Sequence, residues 1–216
     1  MSAITVCVGN YGYYNEGRLH DTWIDLPVEP STFKPWLVEH RLWDRRHEET
    51  YISDYDGIPL GCSYGNVFSE HTSLEHLNAL AQLMEMLPLE AETLASFIET
   101  SGEEPDDLLG LANWLLQADS LPYYTYDVPS WCANDSAEEK YGYQLANGTL
   151  WWEALEANGV SDHFDLEAFG REWSANCALG DDGYVDLCQD FPDQDRYSWD
   201  DITAMMPWND NNDRED

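Results

Sequence analysis

Basic residues are scarce in this 216-residue chain, and one long stretch has none at all. The sequence holds nine Lys and Arg against 43 Asp and Glu, which gives a formal net charge of −34 at pH 7. No Lys or Arg occurs between Arg46 and Lys140, while 19 acidic residues lie there. Phosphate backbones and anionic lipid surfaces repel a chain of this charge. The composition therefore excludes direct binding of nucleic acid and argues against a membrane partner.

Long apolar runs and paired cysteines are also absent. No apolar stretch approaches the roughly 20 residues that cross a bilayer. The N-terminus, "MSAITVCVGN", lacks the basic segment and the apolar core of a signal peptide. The five cysteines are scattered and form no C-x-x-C pair, which is typical of reduced thiols. We therefore expect a cytoplasmic protein.

Motifs for catalysis, metal binding and cofactor binding are missing as well. The best calcium-loop candidate, "DQDRYSWDDITA", has Tyr197 where the D-x-[DN]-x-[DN]-G-x₅-E template requires Asp or Asn. His71 and His76 stand five positions apart, whereas two ligands on one helix face need a spacing of four. The glycines near the N-terminus match neither a dinucleotide loop nor a P-loop. We predict that the protein is not an enzyme and needs no cofactor.

Apolar and aromatic side chains, by contrast, are plentiful. Hydrophobic residues make up 43% of the chain and aromatic residues 13%, which is too much for an intrinsically disordered acidic chain. The charge is uneven, since residues 1–46 sum to −1, residues 47–139 to −19 and residues 140–216 to −14. The chain is therefore predicted to fold while carrying a large field of one sign over residues 47–216.

Periodicity and turn signals predict an α+β protein made of three small domains. The first covers residues 1–64. Alternating apolar residues predict strands in "AITVCV", "TWIDLP" and "TYISDYDGIP". A helix is predicted from Ser31 to Trp43, with Pro35 in its first turn.

The second predicted domain is a helical bundle over residues 65–122. Its first helix has a capping-box start at Thr72, and leucines then recur every three or four residues. Two more helices are predicted over residues 89–100 and 105–118. Three helices of this length are typical of a compact bundle.

The third predicted domain is α+β and covers residues 123–189. A strand opens it at "YYTYDV", helices follow over 135–146, 150–157 and 165–176, and "DDGYVDL" supplies a turn and a strand. Residues 190–216 form an acidic extension. Its end, "NDNNDRED", is expected to be disordered.

Three functions would explain so many carboxylates in a folded chain. Halophilic solvation agrees with two Lys against seven Arg, but it predicts acids throughout, including the nearly neutral first 46 residues. An acidic chaperone or decoy for basic proteins would use disordered tracts, whereas these acids lie on predicted amphipathic helices. A folded mimic of nucleic acid would place carboxylates where phosphates stand. Since duplex DNA carries about one charge per 1.7 Å, the net charge corresponds to roughly 58 Å of duplex.

Four segments in series resemble the ArdA-type antirestriction proteins. They are "ITVCVGNYGYYNEGRLHDTWIDLP", "YISDYDGIP", "SLEHLNALAQLMEML" and "FDLEAFGREWSANCALGDDGYV". Together they cover about residues 4–185 in the order that the family has. The residues of the last segment that stand at the family's hallmark positions are Asp165, Ala168, Phe169, Gly170, Arg171, Gly183 and Tyr184.

The resemblance implies a product of conjugative plasmids and transposons that protects incoming DNA from type I restriction–modification enzymes. It implies an elongated, three-domain homodimer that mimics DNA and occupies the DNA-binding groove of the methyltransferase core. The family's antirestriction segment would correspond to residues 134–148, "NDSAEEKYGYQLANG", near the dimer contact. The acidic extension past about Gln189 is where this chain departs from the family.

The resemblance supplies two sets of candidate site residues. The carboxylates predicted to replace phosphates are Glu85, Glu90, Glu92, Glu99, Glu103, Glu104, Asp106, Asp107, Asp119, Asp135, Glu138, Glu139, Glu153 and Glu156. The aromatic residues predicted to contact the second protomer are Tyr141, Tyr143, Trp151 and Trp152. Gly170 is expected to mark a close helix-packing point, and Arg171 is expected to pair with a local acid.

Overall fold

The computed structural model describes residues 4–65 and 67–208. Grouped by the proximity of their Cα atoms, the residues form two compact units. Unit 1 comprises the chain up to Leu94, residues 104–119 and the chain from Pro192 onward, and unit 2 comprises residues 95–103 and 120–191. The predicted division into three domains is not tested by this grouping and stays a prediction. Each unit contains helices and one three-stranded sheet, which confirms the α+β class.

The sheet of unit 1 is antiparallel and has its first strand in the middle. β1 (Ile4–Asn10) is followed by a short helix, α1 (Tyr11–Asn15), and pairs with β2 (Thr22–Leu26) on one side and β3 (Thr50–Tyr55) on the other. β1 is buried along nearly its whole length because both of its edges are paired. The three predicted strands of this region are confirmed.

The helix predicted from Ser31 to Trp43 is shorter than expected. A 3₁₀ turn (Pro30–Thr32) leads into α2 (Phe33–Glu39), and His40 is the C-cap residue of that helix. Arg41 has a φ of 58°, and a residue in this left-handed region ends a helix. Leu42 is fully buried and continues the apolar pattern past that end. Periodicity alone therefore extended the helix too far.

Three helices follow the first sheet, and their starts differ from the predictions by a few residues. They are α3 (Leu74–Met86), α4 (Pro88–Ser101) and α5 (Leu108–Leu116). The cap of α3 is Ser73, whose hydroxyl accepts from the His76 amide, rather than Thr72. The third helix was predicted from residue 105. It begins at residue 108 because Asp107 is extended and caps it.

A buried amide side chain joins α3 to the strand region of unit 1. The Oδ1 atom of Asn78 accepts from the Val28 backbone N at 2.8 Å, and its Nδ2 donates to the Val28 carbonyl at 2.9 Å. Both polar ends of this buried side chain are satisfied, as burial requires. Among the described residues no helix is long and apolar enough to cross a membrane.

Unit 2 packs helices beside a second antiparallel sheet. Its elements after α4 are β4 (Tyr123–Thr125), α6 (Ala137–Ala146), α7 (Leu150–Ala157), α8 (Leu166–Trp173), β5 (Cys177–Leu179) and β6 (Gly183–Asp186). The sheet has β6 in the middle, between β4 and β5. The sequence predicted all of these elements except β5, whose three residues show no pattern of their own.

Helices α6 and α8 approach each other at two glycines. A Cβ atom on Gly142 would collide with the Leu166 carbonyl oxygen, and one on Gly170 would collide with the Glu138 carbonyl oxygen. Only glycine allows two helix backbones to come so close. The prediction that Gly170 marks a packing point is confirmed, and Gly142 on the other helix is its counterpart.

The C-terminal strap, which we define as residues 192–208, packs within unit 1. It ends in a helix that was not predicted, α9 (Trp199–Ala204), and it buries Ile202 and Met206. Trp114 Nε1 donates to the Pro192 carbonyl at 3.0 Å. The signal for α9 was present, because Ser198 and Asp201 form a capping box. The end of the predicted extension, "NDNNDRED", lies outside the described residues.

Candidate acidic interaction surface

All fourteen carboxylates predicted to replace phosphates are accessible to solvent. None is buried, and the two units share them equally. Those in unit 1 are Glu85, Glu90, Glu92, Glu104, Asp106, Asp107 and Asp119. Those in unit 2 are Glu99, Glu103, Asp135, Glu138, Glu139, Glu153 and Glu156. The predicted set is therefore not confined to one unit.

Most of these carboxylates lack a salt-bridge partner. Setting Asp119 aside, none has a Lys, Arg or His within salt-bridge distance in the ranges that the structure describes. The ion pairs that are present involve the acids Glu16, Asp44, Glu70 and Glu167. Apart from Asp119, the predicted set therefore presents carboxylates that no basic residue of the described ranges pairs with.

Two members of the set also have structural roles. Asp107 Oδ1 accepts from the Gly110 amide at 2.8 Å and so caps α5. Glu104 Oε1 accepts from both the amide and the hydroxyl of Ser63, at 2.9 and 2.7 Å. Substitutions at Glu104 and Asp107 will consequently change local structure as well as charge. The pattern "PDDLLG" contains this cap signal for Asp107, but the sequence reading placed the helix start too early.

Acids gather closely around the start of α6. Glu138 and Glu139 occupy its first turn, where the helix dipole favours negative charge. Burial raises the pKa of the Glu139 carboxyl above its ordinary value. The negative charges of three neighbours raise it further: Asp135, Glu167 and Asp165. This electrostatic coupling identifies a dense cluster of carboxylates in unit 2.

The basic residues near this cluster are already engaged. Arg171 pairs with Glu167 one turn earlier in α8, which confirms the predicted pairing with a local acid. Lys140 is buried, and its Nζ donates to the Asp181 carbonyl oxygen at 2.8 Å. Its ammonium group is held by a neutral carbonyl rather than by one of the carboxylates around Glu139.

The four aromatic residues predicted at the dimer contact lie at different depths. Tyr141 and Trp152 are buried inside unit 2, where Trp152 packs with Ala146 and Leu166. Tyr143 is half-buried, and Trp151 is 40% exposed. Among the four, Trp151 thus offers the most surface to a second protomer. The dimer contact itself stays a prediction.

Two exposed tryptophans of unit 2 were missed by the sequence reading. Trp131 is 59% exposed and Trp173 is 63% exposed. Tryptophan has a large apolar ring that is usually covered, so these positions are candidates for contact with a partner. The sequence holds ten Trp, and without tertiary structure nothing separates the exposed ones from the core.

Unit 1 contains a separate charged network around His47. Its Nδ1 lies 2.9 Å from Asp44 Oδ1, and its Nε2 lies 3.1 Å from Glu16 Oε1. The hydrogen bond that His47 donates to Asp44 is the main cause that raises the pKa of His47 above its ordinary value, followed by the one that it donates to Glu16. The Arg46 amide is the main cause that lowers the pKa of Asp44, and the Tyr13 hydroxyl also donates to it at 2.8 Å. No cluster of His, Cys, Asp or Glu among the described residues could hold a metal ion.

A protein-family model described as antirestriction protein (ArdA) matches residues 6–186. A search among curated protein sequences gave no match. The matched range contains all fourteen predicted carboxylates and every strand except the first two residues of β1, and it ends before the C-terminal strap begins.

Proposed function

The chain belongs to the ArdA family of antirestriction proteins, which implies an antirestriction function directed at restriction–modification enzymes, and from this premise we propose that it acts as a folded mimic of DNA. Its surface carboxylates replace phosphates and compete with DNA for the binding groove of the methyltransferase core of a type I enzyme. In that role it is an inhibitor and not a catalyst.

One observation carries the proposal. The predicted carboxylates are accessible, and, Asp119 aside, they lack a basic partner in the part of the chain that the structure describes. A protein that used its acids for internal ion pairs would neutralise them. Exposed, uncompensated charge raises the local concentration of a basic partner and steers its approach. A DNA-binding groove is such a partner, since it is lined by Lys and Arg.

The two alternative functions have less support. An acidic chaperone would capture basic proteins through flexible tracts, whereas the acids lie on ordered helices such as α4, α6 and α7. Halophilic solvation would distribute acids evenly, yet residues 1–46 carry a net charge of only −1. We therefore retain DNA mimicry. We also propose a homodimer formed through unit 2, with Trp151 at the contact.

The experiment is a competition between the protein and a cognate duplex for a purified type I methyltransferase, read as a gel shift. A variant should neutralise six exposed acids that have no hydrogen-bonding role: Glu85, Glu92, Glu99, Glu103, Asp106 and Glu153, each changed to its amide. If the charges act together, each single change should weaken competition by less than about fivefold. The sixfold variant should weaken it by about 100-fold.

A charge-conserving variant is the matched control. It exchanges Asp and Glu at the same six positions, so that it keeps the net charge while altering every side chain. This variant should compete nearly as well as the wild type. If the wild-type protein fails to displace the duplex, the proposed function is wrong. If one amide substitution removes all competition, a localised site replaces the collective mimic.

A further inference from the structure

Unit 2 contains a cavity that joins aromatic walls to carboxylates. Its volume is about 330 Å³. We call it the Trp131 cavity, and the lining residues that matter here are Trp131, Glu139, Trp152, Glu156, Asp162 and Phe164. Every lining residue belongs to the same compact unit. The surface carboxylates on their own offer only negative charge to a ligand, whereas this cavity also offers a concave site with aromatic walls.

Regular elements hold the lining side chains in place. Helix α6 supplies Glu139, and α7 supplies Trp152 and Glu156, which are four residues apart and share one face. The Trp131 ring packs edge-on against Tyr143, with ring centroids 5.4 Å apart. Tyr143 in turn contacts Trp152 at 6.0 Å. Trp131 is therefore positioned by packing although more than half of its surface is exposed.

The cavity carries negative charge and no basic group of its own. No Lys or Arg lines it among the described residues. Lys140 donates to a backbone carbonyl, and Arg171 pairs with Glu167, so neither compensates the Glu139 carboxyl. Burial raises the pKa of the Glu139 carboxyl, and the neighbouring acids raise it further, so a negative charge there meets repulsion. A cation entering the cavity would relieve this repulsion.

A buried polar atom in the wall also lacks a partner. Trp152 is only 2% exposed, and its Nε1 has no hydrogen-bond acceptor among residues 4–65 and 67–208. Buried indole N–H groups usually have an acceptor, and leaving one unpaired is costly. This unsatisfied donor is independent of the acidic cluster. A ligand in the cavity that brought an acceptor oxygen to this donor would satisfy it.

We propose that the Trp131 cavity binds an arginine side chain of the partner protein. A guanidinium group stacks on an indole ring and donates in a planar fork to carboxylates, which here are Glu139 and Glu156. The carbonyl groups of the arginine's own main chain supply an acceptor for Trp152 Nε1. Lysine fits less well, because its compact ammonium is strongly hydrated and cannot stack as a plane. The inference rests on the proposed function, since arginine is a side chain with which DNA-binding proteins hold phosphates.

The direct test titrates N-acetyl-arginine amide into the full-length protein and follows the indole N–H resonances by NMR. Binding with a dissociation constant of about 1 mM is a reasonable expectation for one side chain. The resonances of Trp131 and Trp152 should shift together. N-acetyl-citrulline amide has nearly the same shape without the charge and should cause no shift, and N-acetyl-lysine amide should bind more weakly. Equal binding of citrulline, or tighter binding of lysine, would overturn the proposal.

Substitutions then connect the cavity to inhibition. Trp131→Ala and Glu139→Gln should each weaken arginine binding about tenfold, and the double variant should weaken competition with DNA by at least as much. The matched controls are Trp23→Ala, which alters a 48% exposed Trp of unit 1, and Glu172→Gln, which alters an exposed Glu of unit 2 outside the cavity. They should leave both measurements unchanged. The dispersion of the NMR spectrum establishes whether each variant is folded. If Trp131→Ala does not fold, Glu139→Gln alone tests whether the cavity binds arginine.

The outcomes separate this inference from the proposed function. If the wild type competes with DNA but arginine shifts neither indole resonance, the cavity proposal is wrong and DNA mimicry stands. If the wild type does not compete with DNA, mimicry is wrong, and the arginine titration still decides whether the cavity binds a guanidinium group. If the Trp131→Ala/Glu139→Gln double variant competes like the wild type, the cavity has no part in inhibition.

Discussion

At the scale of single residues, His47 gives unit 1 a pH-dependent element. Its ring contacts Asp44 and Glu16 and packs against the Tyr13 ring, with ring centroids 4.3 Å apart. Its raised pKa means that the folded state binds the proton more tightly than the unfolded state does. The stabilisation is therefore fully present below the ordinary pKa of 6.5 and is lost as the pH rises through the higher folded value.

The variant His47→Gln tests this element. Between about pH 6 and pH 8, the wild type should lose stability relative to the variant as the pH rises, because only the wild type releases this proton. The measurement is urea unfolding at a series of pH values. His163→Gln changes an exposed histidine and should leave the slope unchanged. Asp44 affects stability at acidic pH instead, because its pKa is lowered in the folded state. The stability that it contributes is present above the ordinary pKa of 3.8 and is lost as the pH falls through the lower folded value. A pH-independent difference between His47→Gln and the wild type would contradict this account.

The glycine contact between α6 and α8 gives a second residue-scale prediction. Gly142→Ala would place a methyl group against the Leu166 carbonyl oxygen, which is backbone and cannot move alone. The helices would have to separate, and overpacking of this kind costs about 1–3 kcal/mol. Chemical denaturation measures the loss. Ala154→Gly, at an exposed position of α7, is the control for an alanine–glycine change without a collision. A Gly142→Ala protein as stable as the wild type would show that the contact is looser than the structure indicates.

These residues also show what sequence reasoning can reach. Gly170 and Arg171 could be assigned because a glycine inside a helix and an arginine one turn from a glutamate have local explanations. Gly142 could not be identified as the counterpart, because its neighbour across the contact is distant in the chain. The exposure of Trp131 was equally hidden, since burial is decided by packing between elements.

At the scale of elements, the strap shows why the C-terminal region was the hardest to predict. Most helices and strands could be found from periodicity, because each has an apolar face several residues long. Helix α9 spans only Trp199–Ala204 and contains two acids, so apart from its capping box it shows little apolar periodicity. The strap is held by the buried side chain of Asn113 in α5, which forms two hydrogen bonds with the backbone of Tyr197, 84 residues further along the chain. Such contacts depend on tertiary structure.

The substitution Asn113→Ala tests the strap. Asn113 is fully buried, its Nδ2 donates to the Tyr197 carbonyl at 2.9 Å, and its Oδ1 accepts from the Tyr197 amide at 2.8 Å. Removing the side chain leaves both backbone groups unpaired, which should lower the free energy of unfolding by about 1–3 kcal/mol. Asn134→Ala, at an exposed position of unit 2, should have little effect. If both variants unfold alike, the strap contributes nothing to unit 1.

At the scale of the whole molecule, the charge opposes self-association. Two protomers of net charge −34 must approach each other, and salt screens that repulsion. Dimer affinity should therefore rise with ionic strength, which sedimentation measures directly. Trp151→Ala should weaken the dimer, whereas Trp23→Ala, at a 48% exposed position of unit 1, should not. A salt-independent monomer at micromolar concentration would reject the dimer.

Charge was the property that sequence could establish for the molecule as a whole, because it needs no coordinates. The chain has a long stretch free of Lys and Arg, and its acids fall largely outside the first 46 residues. Sequence could not show that Glu104 accepts hydrogen bonds from Ser63, or that the acids near Glu139 crowd together. Those facts follow from how helix ends and loops meet in space.

Mimicry of DNA is tested most directly by the salt dependence of binding to a type I methyltransferase. The dissociation constants of the protein and of a cognate duplex should be measured against the same enzyme over a series of salt concentrations. If carboxylates replace phosphates, the logarithm of the association constant should fall steeply with the logarithm of the salt concentration. The slope should be of the same order as that of the duplex. An affinity that stays constant with salt, while that of the duplex falls, would contradict the account.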